Sequence, residues 1–133
     1  MLSATAMKHN QRFGSPFVLL MIAWLLPCVA FAQYADHRNR QVDSLEQVLT
    51  TNPPTGNELV TLYRSLMRGY QEINIEKSMD YARKCIELAV PLNGWRAVYE
   101  GYWILGIDFY QLSQYDSAMV YYDKSIQAVD QMR

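Results

Sequence analysis

Between positions 102 and 122 the chain sets Tyr102, Leu105-Gly106 and Phe109, then Ala118 and Tyr122, a spacing that leaves few folds open. Tyr102, Leu105 and Phe109 repeat at helical intervals and mark the apolar side of one helix. Ala118 and Tyr122, one turn apart, mark that of a second. Gly106 and Ala118 are small where large residues would hold the two helices apart, while Tyr102, Phe109 and Tyr122 are large enough to fill the wider gaps beside such a crossing. The stretch Gln114-Tyr115-Asp116-Ser117 reads as the turn and the start of the second helix. Residues 95–133 are therefore expected to form a close helical hairpin.

A weaker copy precedes it. Leu59, Leu62, Tyr63, Leu66, Met67 and Tyr70 line one side of a helix that starts near Glu58, and a polar break follows at residues 72–74. A partner helix over about 76–90 is expected to bury Ser78, Met79, Ala82, Cys85, Ile86 and Ala89, and Pro91 with Asn93-Gly94 closes it. Against the second hairpin, Tyr63, Leu66 and Tyr70 hold matching slots, but Met67 stands for the glycine, Ser78 for the alanine and Ala82 for the aromatic. Ahead of both, Val42, Leu45, Val48 and Leu49 predict an amphipathic helix over 39–51, with Asp43, Glu46 and Gln47 toward water. Pro53 and Pro54 forbid its continuation.

The first 32 residues have another character. Lys8 and Arg12 are followed by an apolar run over 17–26, a break is expected at Pro27, and Ala30-Phe31-Ala32 has the small-x-small form of a signal peptidase site. A cleaved signal peptide over 1–32 is expected, with Met7 as an alternative start. The ten-residue run is short of the roughly 20 apolar residues that a spanning helix needs. Cys28 would suit a lipoprotein signal better if a small residue preceded it in place of Pro27. The expected organisation is a leader over 1–32, a leading helix and turn over 33–56, a divergent helical repeat over 57–94 and a second repeat over 95–133.

Half of the residues are apolar and the formal net charge is −1, which favours a packed domain over disorder and gives nucleic acid no basic surface to bind. Loss of Lys8 and Arg12 with the leader makes the remaining domain mildly acidic. Cys85 is then the lone thiol, expected as a small core residue, so packing alone must supply stability. His37 is the lone histidine beyond the leader and has no second ligand near it in sequence. No phosphate loop, nucleophile elbow or Cys-x-x-Cys pair is present, and neither a metal, a cofactor nor an enzymatic role is expected.

The 102–122 pattern resembles the tetratricopeptide repeat, whose signature has an aromatic, Leu-Gly, an aromatic, then Ala and an aromatic at these intervals. The match covers one 34-residue unit, from Tyr99 to Met132. The resemblance implies an all-α array of about five helices in antiparallel hairpins, and a role in holding a protein or peptide partner on the concave side formed by the first helix of each pair. On that side it places Arg64 and Arg68, four residues apart and able to grip a carboxylate together, and Trp103, Ile107 and Tyr110 beside Glu100. In the last helix the apolar arc covers about half the circumference, with Tyr115, Met119 and Ile126 on one flank and Tyr121, Ala128 and Met132 on the other. The second flank, Tyr121, Ala128 and Met132, is the expected C-terminal interface, including self-association. The layout of leader, Asp43-Ser44-Leu45 helix, degenerate repeat and strong repeat is also similar to the exported N-terminal part of bacterial envelope sensors. The expectation is an exported, periplasmic or envelope scaffold without a membrane span after cleavage; the alternative is the sensory part of a histidine kinase or transcriptional regulator.

Overall fold

The computed structural model describes the backbone of residues 16–133 and, Ala35 aside, the side chains from Gln33 onward. The expected leader lies outside these residues, apart from the backbone of its last part. The described chain is all-α, with helices α1 (Pro16–Thr51), α2 (Gly56–Tyr70), α3 (Ile75–Ala89), α4 (Trp95–Gln111) and α5 (Tyr115–Asp130). The helix α1 runs without interruption through Pro27, where the sequence predicts a break. Among the described residues no helix is long and apolar enough to cross a membrane. Contacts divide the chain after Ala35, and the unit Asp36–Arg133 contains every buried core residue described.

Within that unit, each helix end is set by local chemistry. Pro53 and Pro54 follow α1, and α2 opens at Gly56, whose φ of +57° suits glycine. Asn74 caps α3, its side chain accepting from the Lys77 N–H at 3.0 Å. After α3 and after α4 the chain closes the same way: Asn93 and Ser113 take φ of 54° and 59°, and the next residues, Gly94 and Gln114, donate N–H to Ala89 and Phe109 carbonyls at 2.9 Å. This left-handed closure satisfies carbonyls that the helix end would leave open.

The six residues expected on the inner side of α3 are the ones buried there. Among α2 to α5, contacts join α2 to α3, α3 to α4 and α4 to α5, with a further contact between α2 and α4. Short turns between packed neighbours make successive helices antiparallel. One core cluster joins Val60 and Met67 through Ile86, Val98 and Leu105 to Ala128. A second joins Val42 of α1 to Leu62, Leu66 and Tyr70 of α2. The expectation that Glu46 faces water is corrected: its Oε1 accepts from Tyr70 (2.5 Å), Lys77 (3.0 Å) and Tyr81 (3.2 Å), so that α1 is tied by one carboxylate to both α2 and α3.

Close approach needs missing side chains at two points of α4. A Cβ on Gly106 would lie 2.5 Å from the Tyr122 ring of α5, and one on Gly101 would lie 2.5 Å from Ile86 Cγ1 and 3.2 Å from the Ala82 carbonyl oxygen of α3. Backbone cannot yield as a side-chain tip can. Gly101→Ala is therefore expected to destabilise the protein by about 1–3 kcal/mol through overpacking, in spite of the better helix propensity of alanine. Thermal unfolding measures this, and in an Ile86→Ala background, which removes both Cγ1 and Cδ1 from the contact, the further cost of Gly101→Ala is expected to be smaller.

Candidate functional site

The expected concave residues come from α2 and α4, and the contact between these helices brings their exposed sides together. Arg64 and Arg68 do grip a carboxylate, and it belongs to the chain itself. Arg64 Nε and Nη2 donate to Glu100 Oε2 and Oε1 at 2.8 and 2.7 Å, Arg68 Nη2 donates to Oε2 at 2.6 Å, and Arg96 Nε reaches Oε1 at 3.4 Å. The two-pronged contact of Arg64 fixes the carboxylate plane, as guanidinium geometry favours. Glu100 is buried, while Arg68 and Arg96 remain largely exposed. Three guanidinium groups share one carboxylate, so this end of the face keeps an excess of positive charge.

Next to it on α4 lie Trp103, Ile107 and Tyr110. Trp103 is 44% exposed and packs one side of its ring against Tyr99 (6.2 Å between centroids) and Tyr122 (5.2 Å). Tyr110, 59% exposed, meets Tyr115 edge to face at 5.3 Å, and Ile107 between them is half-buried. The aromatics are thus held by neighbours and still present open surface. Rings fixed in this way bind at little cost in rotamer entropy.

The expected C-terminal interface needs correction. Tyr121 stacks on Phe109 at 5.0 Å with a 6° interplanar angle, Lys124 lies over its ring, and Ala128 is buried, so both residues hold α5 onto α4. Met132 alone of the three is exposed. The open apolar flank of α5 is the opposite one, with Tyr115, Met119 and Ile126. Half of the α5 circumference is small or apolar, and the sequence does not say which flank the preceding helix covers.

The sequence reading also passed over Asp108, which is wholly buried on α4. Its Oδ2 lies 2.6 Å from Ser78 Oγ, and Ser78 Oγ also lies 3.0 Å from the Met67 carbonyl oxygen. A hydroxyl has one proton and cannot donate to both. With Asp108 protonated the chain closes: the carboxyl donates to Ser78, and Ser78 donates to Met67. Asp108 Oδ1 has no partner among the described residues, which also disfavours the charged form. Burial accordingly pushes the Asp108 carboxyl up to about 6, the Ser78 hydrogen bond acting in the other direction. A usable signal was present, since Asp108 is the only charge between residues 101 and 115.

The remaining titratable clusters are shifted away from reactivity. The hydrogen bonds that Lys77 donates to Tyr70 and Glu46 raise its pKa and keep it protonated, the hydrogen bond donated by Tyr70 lowers Glu46, and burial raises Tyr70 and pushes Tyr81 up to about 12. Burial likewise pushes the Cys85 thiol up to about 11. None of these groups is an activated base or nucleophile near neutral pH. Among the described residues, no three His, Cys, Asp or Glu side chains gather as a metal site. Comparison with protein-family models, curated proteins and solved structures finds no match to this chain.

Asp108 generates a pH dependence of determinate sign. The folded state binds its proton more tightly than the unfolded chain, so the stability it contributes is complete below about 4, falls as pH rises from 3.8 to about 6, and is absent above. The loss is roughly 1–3 kcal/mol. Asp108→Asn, whose amide can donate to Ser78 without a charge, is expected to raise the melting temperature at pH 7.5 and to remove this fall from the pH profile. A parallel profile for the two proteins would assign the titration elsewhere.

Proposed function

We propose that this chain is an exported tetratricopeptide-type scaffold that binds a protein or peptide partner and carries no catalytic activity of its own. The observation that carries the reading is the single open side on which α4 displays Trp103, Ile107 and Tyr110, next to the arginine-rich end built around Glu100. Aromatic and arginine side chains are the types that dominate binding energy at protein interfaces. The sequential packing of α2 to α5 supports a repeat array, in which each helix pair stacks on its neighbour. The small residues at the helix crossings, Gly106 and Ala118, support the same reading.

Export is supported by the leader pattern over 1–32. Lys77, Tyr81 and Cys85 support a binding role over a catalytic one, because burial and hydrogen bonding hold each in its unreactive form near neutral pH.

Two measurements test the proposal. Mass spectrometry of the protein recovered from the envelope fraction is expected to find a chain beginning at Gln33, and an uncleaved chain confined to the cytoplasm would refute export. Peptide display against the full chain is expected to enrich ligands whose affinity falls about tenfold or more in Trp103→Ala/Tyr110→Ala, with circular dichroism unchanged. Failure to enrich any ligand, or ligands indifferent to the double substitution, would remove the binding face.

A further inference from the structure

On α5, Tyr115, Met119, Tyr122, Ile126 and Val129 follow one another at intervals of four, three, four and three. This is the repeat by which one helix offers a seam to another. Met119 and Ile126 are 61% and 62% exposed and Tyr115 is 56% exposed, while Tyr122 and Val129 are half-buried. The seam is joined to the open side of α4, because Trp103 and Tyr110 rest against Tyr122 and Tyr115. The two helices thus present one continuous apolar surface. Among α2 to α5, only α4 packs against α5.

The flanks of the seam differ. Ala118 and Ser125 lie on the side buried against α4. On the outer side Asp116, Asp123 and Asp130 recur every seven residues, each directly after a seam position, and all three are exposed. Seven-residue spacing holds them in one row along the helix. Such a row favours a partner with positive charge along the facing edge, and disfavours an acidic one. A second copy laid antiparallel on the seam would set one aspartate row against the other.

We propose that the apolar surface of α4 and α5 takes an amphipathic helix of a partner protein, whose apolar stripe is flanked by lysine or arginine on the edge that meets Asp116, Asp123 and Asp130. The inference rests on the reading of the chain as a binding scaffold and adds the class of partner. Met119 and Ile126, with Trp103 and Tyr110, supply the apolar contact. The aspartate row selects charge and sets which edge of the incoming helix lies outward.

Two synthetic helical peptides test this, each with leucine at alternating intervals of three and four. One carries lysine along the flank and the other glutamate. Titrated against the full chain by fluorescence anisotropy, the lysine peptide is expected to bind about tenfold more tightly, the combined effect of three exposed charge pairs. The preference is expected to shrink at high salt and to vanish in Asp116→Asn/Asp123→Asn/Asp130→Asn, while Ile126→Lys weakens both peptides. Equal binding of the two peptides, or binding unaffected by Ile126→Lys, would overturn the proposal. So would dimers by light scattering that Ile126→Lys dissociates, since a second copy would then cover this surface. If neither peptide binds while displayed ligands still require Trp103 and Tyr110, this inference fails and the scaffold reading stands; if both fail, the scaffold reading falls too.

Discussion

The fold depends on how closely α4 can be approached. This helix touches α2, α3 and α5, and on two of its sides the approach is set by the absence of a side chain, at Gly101 toward Ile86 and Ala82 and at Gly106 toward Tyr122. Dispersion and burial act over a few ångströms, so a crossing held open by one methyl group would lose contacts along both helices. With α4 so enclosed, the sides left free are few. The stripe with Trp103, Ile107 and Tyr110 is exposed because α2, α3 and α5 occupy the rest of the circumference.

Polar groups at the helix contacts divide into two kinds. Glu46 and Glu100 are charged anchors at the margin of the core, each gathering donors from more than one helix, where partial solvation lowers the cost of burying charge. Asp108 lies deeper, and a carboxylate there has neither solvent nor a cation to balance it. Its link to Ser78 and Met67 joins α4, α3 and α2 through two hydrogen bonds in series. Ser78 stands in the first hairpin at the position matched by Ala118 in the second. The hydroxyl thus marks one of the three places, with Met67 and Ala82, at which the first hairpin departs from the pattern of the second.

Much of this was legible in the residues. Helical periodicity located α2 to α5 to within a few residues, since apolar spacing, Pro53-Pro54 and Asn93-Gly94 are local signals, and the buried side of α3 followed from spacing alone. The α2 and α4 face was legible as a set of residues, but its internal pairing was not, because the Arg64–Glu100 contact joins positions 36 apart and depends on helix packing. The exposed flank of α5 was misjudged for the same kind of reason. An amphipathic pattern says how wide the apolar arc is, and only the neighbouring helix decides which part of it is covered.

The position of Cys85 has a consequence for the chemistry of the chain. Its sulfur is wholly buried, faces the Val60 carbonyl oxygen across 3.9 Å and carries a raised pKa. An oxidant or a second thiol therefore reaches it only after α3 has parted from α2. In an oxidising compartment the lifetime of the reduced thiol is then governed by how often these helices open, and its slow modification would record the opening of the first hairpin.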